Sequence, residues 1–399
     1  MWQKLKNYYH LAQAAASAIV FSSPSKKLIV IGVTGTDGKT TTVNMIYHIL
    51  KEAGKKVSMI SSVSAKIGND EYDTGFHVST PSPYQVQKYL KKAKDEGSKY
   101  FVLEATSHGL DQNRLAFVSF KAGVITNITH EHLNYHKTWE NYAKSKLKLL
   151  KNSQLKIINL DDKSFGFIKS LIDGEITTYS RQKEATFNLK NFKITLSIEG
   201  DYNLSNALAA AAVCSKLEID KQTIIKALKT FHGVEGRMEE VQEGQKYKVY
   251  VDFAHTPNAL KEALTHLRST IASKKSAKLI AVFGAASKRD ELKRPIMGKI
   301  SAELADITVI TAEDPRMEDA KKICMDIAVG MEGKSEGKDY FIIPNRQEAI
   351  NFAAKKAKPG DIIGIFGKGH EKSMNIGGTE HMWSDFEAAK EAINKADEK

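Results

Sequence analysis

Cysteine is scarce in this chain of 399 residues; only Cys214 and Cys324 occur. They lie far apart, each inside an apolar helical pattern. They read as buried thiols in a reducing cytosol, not as a disulfide framework. No run reaches the ~18 to 20 apolar residues of a membrane span. Low-complexity linkers and internal repeats are missing, and nothing resembles the aromatic-basic platform of an RNA-binding protein. With 42% hydrophobic and 27% charged residues, the composition describes a soluble globular enzyme and excludes a disordered or membrane chain. The formal charge of +12 comes mostly from scattered lysines, with short clusters such as 144–151. It reads as a solvated surface around acidic ligands, not as nucleic-acid binding.

This length exceeds what one core usually serves, so two domains are expected, over 27–233 and 234–399. Before them, Lys4 and Lys6 followed by LAQAAASAIVF imitate a signal peptide. However, Leu5, Tyr8, Tyr9, Ala12, Ala16 and Ile19 fall at helical spacing, and His10 and Gln13 interrupt the apolar run. The spacing predicts a short docking helix and linker over 1–26, with that apolar face as its docking face.

The stretch around which the chain is organised is KLIVIGVTGTDGKTTT, 27–42. It predicts a buried strand over 28–33, a glycine-turned loop, and a helix opening at Gly38-Lys39-Thr40. Such a loop presents successive backbone N–H groups at a helix N-terminus, which suits a polyphosphate. Lys39 would lie against the β- and γ-phosphates and the Thr40 hydroxyl would hold Mg²⁺. Gly32 falls one residue too early for the strict phosphate-loop pattern, so the working unit is Gly35-Thr36-Asp37-Gly38-Lys39-Thr40, continued by Thr41.

Further along, strands (56–61, 100–104, 123–128) alternate with helices (83–96, 139–150). Alternation of this kind predicts a mostly parallel sheet with active groups at the carboxyl ends of its strands. Glu104 closes one strand before the turn-rich ATSHGLD, where a second magnesium ligand belongs. The next strand is followed by NITHEHLNYH, 127–136, with three histidines in seven residues. Zinc is disfavoured because no other ligand cluster is near in sequence. One histidine on Mg²⁺, with the others orienting substrate or capping the loop, is the preferred reading.

The small-residue helix 203–213 opens with Asn203 and Asn206, which could read an adenine edge. A second strand–helix series follows the GVEGRME segment. Its strands (247–252, 278–284, 305–311, 361–366) end in DFAHTP, AASKRDELKR, EDPR and GKGHE. The expected fold class is α/β, a central P-loop ATPase domain with a mostly parallel sheet, then a C-terminal Rossmann-like domain.

Taken in order, TGTDGKTTT, LEATSHGLDQ, NITHEHLNYH, GVEGRMEEV, VDFAHTPNAL, FGAASKRDELKRPIMG, EDPR and GKGHE resemble the motifs of the Mur ligases. Within them they resemble the branch that adds a diamino acid as the third peptide residue. The resemblance implies an ATP-dependent acid–amino-acid ligase of peptidoglycan precursor synthesis, cytoplasmic, working through an acyl phosphate. Meso-diaminopimelate or L-lysine would be joined to the D-glutamate of UDP-N-acetylmuramoyl-L-alanyl-D-glutamate. Lys39, Thr40, Glu104 and His132 match the family's phosphate and two-magnesium positions, and Lys146 the lysine that is carbamylated to make a further metal ligand. Asn203 and Asn206 match adenine-side positions; Arg237, Asp252 and Lys288 match nucleotide contacts from the second domain. Thr80, Pro81 and Ser107 match the muramoyl-peptide side. Arg316 and Glu371 match the groups that hold the far carboxylate and amine of diaminopimelate, with Glu313, Asp314 and Gly367 beside them. A guanidinium pairs with a carboxylate through two hydrogen bonds, and a glutamate suits an ammonium.

Four departures qualify the resemblance. Asp314 stands where the family motif has Asn, and its added charge is expected to weaken a carboxylate contact and tilt selection toward lysine or another diamine. Glu131 replaces Asp, and Asp37 replaces Asn, both keeping polar function. Only ~30 residues precede the ATP loop, where relatives carry a uridine-binding domain of about a hundred. The expectation is a loosely held UDP group, a partner chain supplying that site, or an acceptor without UDP. The alternative is therefore a ligase of this type acting on a non-UDP carboxylate, such as a pseudomurein-like or poly-amino-acid precursor. A scaffold that has lost catalysis is disfavoured by intact Lys39, Glu104, His132 and Lys146. The substrates are small molecules, with neither nucleic acid nor membrane involved.

Overall fold

The computed structural model describes residues 2–73, 80–273, 276–287 and 290–397. These divide into two compact units, 1–233 and 234–399.

The first unit is built on a nine-stranded sheet: β1 (Ile29–Thr34), β2 (Val57–Ile60), β3 (Ser64–Ile67), β4 (Asp70–Asp73), β5 (Tyr100–Glu104), β6 (Phe120–Ile125), β7 (Ser153–Asn159), β8 (Thr177–Ser180) and β9 (Phe187–Asn188). The order is β4-β3-β2-β5-β1-β6-β7-β8-β9. All pairings are parallel except β2 with β3 and β3 with β4. Because the middle strands are covered on both faces, β1 reads as a continuous apolar run, with Val30, Ile31 and Val33 fully enclosed. Val33 lies beside Glu104 and Thr34 beside Ile125. The loop leaving β1 therefore emerges between the ends of β5 and β6, at a point where the strand order reverses.

Helix Lys39–Glu52 buries Val43, Ile46, Ile49 and Leu50, the spacing expected of an amphipathic helix on a sheet. Helix Asp201–Lys216 packs against it; its run from Ala207 to Cys214 is completely buried. Alanines at those positions let the two helix backbones approach closely. β6 ends at Ile125, three residues short of the expected 128. The cause is Thr126 and Asn127, whose polar groups brace the loop after β1.

The N-terminal helix forms over Trp2–Val20, but its apolar face is the opposite of the one read from spacing. Leu5, Tyr8, Tyr9 and Ile19 are exposed, whereas Ala14, Ser17 and Ala18 are buried. Small side chains permit contact with helix Pro83–Asp95, and the larger ones are turned away from it.

The second unit has a six-stranded sheet: β10 (Glu239–Val241), β11 (Lys248–Asp252), β12 (Leu279–Phe283), β13 (Ile307–Ile310), β14 (Tyr340–Ile342) and β15 (Ile362–Phe366). The order is β10-β11-β15-β12-β13-β14, with only β10 antiparallel. Helices cover both faces. Leu260, Leu264, Leu267, Met297, Ile323 and Ile327 pack on one side of the sheet; Ala349, Ile350, Ala353, Ala389 and Ile393 pack on the other. A hairpin, β16 (Ser373–Ile376) and β17 (Thr379–Met382), follows β15. Sequence reading finds four of these strands; β10 and β14 have three residues each, too few to show a periodicity.

Cys214 and Cys324 are free and buried. Among the described residues no helix is long and apolar enough to cross a membrane.

Candidate active site

In the first unit, Gly38 caps the helix at φ 80° and Lys39 is its first residue. A Cβ at Gly38 would collide with Asn206 Oδ1, so glycine is required there by both conformation and space. The loop is held from the end of β6. Asn127 Oδ1 accepts from the Asp37 N–H at 2.9 Å, and Thr126 Oγ1 donates to Asp37 O at 2.6 Å. Lys39 Nζ reaches back to Thr36 O at 2.7 Å.

Thr40 Oγ1 lies 2.9 Å from Glu104 Oε2 and 2.9 Å from Ser62 Oγ, and Glu104 Oε2 also accepts the Ser62 N–H at 2.9 Å. Glu104 is almost wholly buried. Two oxygens in adjacent positions of an octahedron with ~2.0–2.1 Å bonds are about 2.8–3.0 Å apart. The pair therefore suits a small hard cation whose remaining ligands are phosphate oxygens and water. No group of three or more His, Cys, Asp or Glu able to hold a metal occurs among the described residues. A magnesium site sharing its ligands with a nucleotide needs fewer.

Lys146, on helix Trp139–Lys151, is buried, not solvated. Its Nζ donates to Gly35 O at 2.5 Å and stands 4.4 Å above the Tyr142 ring. Burial, reinforced by Lys39, pushes its pKa well below that of an ordinary lysine. Tyr142 hydroxyl lies 3.1 Å from Thr36 Oγ1, tying this helix to the phosphate loop.

The histidine-rich loop forms a ring cluster. The His132 and His136 rings stand edge-on to His108 at 4.8 and 5.6 Å, and both rings face Tyr142. His132 takes a left-handed φ of 58° and caps a short helix, Leu133–His136. His136 is pushed down to about 4 by burial, with Lys146 and Lys148 adding to the effect against Asp111.

Thr80 and Ser107 are enclosed. Thr80 Oγ1 lies 3.0 Å from Thr106 Oγ1 and accepts the Thr106 N–H at 2.9 Å, while Arg114 donates to Thr80 O. Pro81 is buried beside it. Thr80 thus shapes the loop after Glu104 from behind. Asn203 and Asn206 are also buried: Asn206 Nδ2 donates to Asn203 Oδ1 at 3.2 Å, and Asn203 Nδ2 to Glu199 O at 2.6 Å.

In the second unit, Asp252 ends β11 and accepts the N–H groups of Met238 and Ala254, each at 2.7 Å. This holds the turn carrying Arg237, whose guanidinium lies over the Phe253 ring at 4.4 Å. Lys288 lies outside the described residues. Beyond β13, Glu313 and Asp314 are buried and Arg316 is partly exposed at φ 50°. Burial pushes Glu313 up to about 7 although Lys293 and Lys368 oppose it, and its Oε2 has no hydrogen-bond partner. Gly367, at φ 114°, opens the segment beside Glu313. Lys368 donates to both Asp314 and Glu371.

Sequence reasoning missed Ser62, Asn127 as a loop brace, Tyr142 and Lys368. Asn127 and Lys368 lie inside quoted motifs, NITHEHLNYH and GKGHE. Ser62 carries no sequence signal, because only the sheet order brings β2 alongside β5.

Residues 33–214 match the Mur ligase middle domain, and residues 236–369 match the Mur ligase glutamate ligase domain. A Clostridium botulinum protein named UDP-N-acetylmuramoyl-L-alanyl-D-glutamate–2,6-diaminopimelate ligase is 39% identical over 381 residues, covering 90% of this chain and 77% of the relative. A solved structure of a ligase of that name is similar with a TM-score of 0.60 at 30% identity, over 92% of this chain and 78% of that one. A pseudomurein peptide ligase type C from Methanothermus fervidus shares the fold, with a TM-score of 0.66 at 19% identity over 92% and 79% of the two chains. The glutamate ligase domain and the middle domain together span most of the chain, and the chain belongs to the Mur ligases, which are ATP-dependent ligases.

Proposed function

We propose that this enzyme joins a diamino acid, meso-diaminopimelate or L-lysine, to the D-glutamyl carboxylate of UDP-N-acetylmuramoyl-L-alanyl-D-glutamate. The names of relatives at 35–39% identity favour diaminopimelate. The observation that carries the reading is the Thr40–Glu104 pair beside a phosphate loop whose helix begins at Lys39.

A carboxylate is too poor an electrophile for an amine. One of its oxygens therefore attacks the γ-phosphorus of ATP, ADP leaves, and an acyl phosphate forms. The neutral amine then attacks the acyl carbon; phosphate departs with the bonding electron pair, and the nitrogen loses a proton as the amide forms. Residues 35–41 bind the phosphates, and Lys39 offsets the charge gathering on them. Thr40, Glu104, His132 and a carbamylated Lys146 would hold two magnesium ions, which would supply further charge neutralisation.

Carbamylation of Lys146 needs a neutral amine to attack CO₂, forming an N–C bond and releasing one proton. The burial that depresses its pKa favours that neutral amine. Asn203 and Asn206 serve the adenine side. Arg237, Asp252 and Lys288 serve the nucleotide, and Thr80, Pro81 and Ser107 serve the peptide. Glu313, Asp314, Arg316, Gly367 and Glu371 receive the amino acid.

The test is phosphate release from ATP with the UDP-linked dipeptide, with diaminopimelate and lysine tried separately and the UDP removed in a parallel arm. Release that requires both acceptor and amino acid, with tripeptide detected by mass, supports the reading. ATP binding without release in any pairing refutes it.

A further inference from the structure

Lys368 sits among three carboxylates at the carboxyl ends of β13 and β15. It is fully enclosed, and its Nζ donates to Asp314 Oδ1 at 3.0 Å and to Glu371 Oε2 at 2.5 Å. Burial disfavours this ammonium, but Glu371 and Asp314 outweigh burial and hold its pKa above the ordinary value. A buried charge of this kind persists only when well paired.

Asp314 is fixed on other sides too. Its Oδ1 accepts the Asn375 N–H at 3.0 Å, and its carbonyl accepts the Ser287 N–H at 2.9 Å. Arg316 is tied to the same hairpin: its N–H donates to Asn375 O at 2.8 Å, and its carbonyl accepts the Gly377 N–H at 2.6 Å. Its guanidinium, however, is 4.0 Å from Asp314 Oδ2 and about one third exposed. That separation is beyond a hydrogen bond. Asp314 thus has two cations within reach and is hydrogen-bonded to the enclosed one.

We propose that Lys368 is the specificity-determining positioning residue of the amino-acid site. By engaging Asp314 and Glu371 it leaves the Arg316 guanidinium available for the distal carboxylate of a diamino diacid, and so sets the preference for such a substrate over a diamine lacking that carboxylate. Without Lys368, the Asp314 carboxylate is drawn to Arg316, whose fork matches a carboxylate through two hydrogen bonds. The substrate carboxylate then loses its partner. The charge expected from sequence to tilt selection toward lysine is thereby offset inside the protein. This inference rests on the proposed function.

The experiment measures kcat and KM for meso-diaminopimelate and for L-lysine in the wild-type enzyme, Lys368→Met, and Lys368→Met combined with Asp314→Asn. KM for ATP is the control. In Lys368→Met the diaminopimelate-to-lysine ratio of kcat/KM is expected to fall about tenfold or more, mainly through KM, with the ATP KM within about threefold. Adding Asp314→Asn removes the competing carboxylate and is expected to restore most of that ratio. If the single variant fails to fold, the double variant carries the test: a retained preference supports the role, and a lost preference at normal ATP KM overturns it. Equal loss with both amino acids, unrescued by Asp314→Asn, also overturns it. A wild-type enzyme that forms no tripeptide with diaminopimelate instead refutes the functional reading on which the inference rests.

Discussion

Thr40 Oγ1 donates to Glu104 Oε2 across 2.9 Å, joining the first turn of the phosphate-loop helix to the end of the neighbouring strand β5. Both groups are buried. The two oxygens are therefore positioned before any cation arrives, and little reorganisation is needed on binding. Replacing Thr40 by Val keeps shape and removes an oxygen; Glu104→Gln removes the charge. Each is expected to raise the Mg²⁺ concentration for half-maximal activity about 10- to 100-fold. A magnesium titration of phosphate release checks this.

Lys146 is a site where stability is sacrificed. Its folded pKa is depressed, so the unfolded chain binds more protons between the folded value and 10.5. Below that window the unmodified lysine is a net cost to folding, and the cost fades as pH rises through it. Lys146→Met is expected to raise the melting temperature of the first unit by a few degrees at pH 7 over that of the bicarbonate-free, unmodified parent while abolishing ligation. A ¹³C-bicarbonate NMR signal from a carbamate, present in the parent and missing in the variant, is the companion observation.

Gly38→Ala meets two obstacles: a left-handed φ that costs an L-residue about 1–2 kcal/mol, and Asn206 Oδ1 where the Cβ would stand. The expected outcome is weaker ATP binding by about tenfold or more, read by calorimetry, together with a lowered melting temperature.

Glu313 titrates near 7, raised from 4.5 chiefly by burial. The folded state therefore binds more protons than the unfolded chain between about pH 4.5 and 7. Stability then falls as pH rises across that window, and the loss is complete above it. Glu313→Gln is expected to flatten the pH dependence, so that the variant melts higher than the parent at pH 8 and close to it at pH 4.5. Thermal unfolding at those two pH values decides the matter.

Arg346 and Asp385 form a fully buried pair at 2.6 and 2.7 Å, with Arg346 also donating to Ala312 O and Phe366 O. Asp385→Asn leaves a buried guanidinium short of its countercharge. It is expected to cost about 3–5 kcal/mol in the second unit, measured by urea unfolding.

The phosphate loop was legible because its physics is local: a strand, two glycines and a helix start lie within 16 residues. The buried alanine run of helix Asp201–Lys216 was legible in the same way. The N-terminal helix was legible as a helix but not in its orientation. Periodicity marks an apolar face at Leu5, Tyr8 and Tyr9, yet the buried face carries Ala14, Ser17 and Ala18, because close packing selects small residues. Lys146 resembled any lysine on a basic helix until the fold enclosed it.

What the sequence alone determined is therefore the chemistry carried by contiguous residues: the loop 35–41, the α/β alternation, and charged motifs at strand ends. Backbone conformation and helix capping depend on near neighbours, and near neighbours are written in order. Tertiary structure decided which distant groups share an environment: Ser62 with Thr40 and Glu104, Lys146 with Gly35, Lys368 with Asp314. Burial and charge pairing set whether a lysine is a solvated ammonium, a buried amine of lowered pKa or a buried counterion, and both arise only when strands and helices far apart in the chain are packed together.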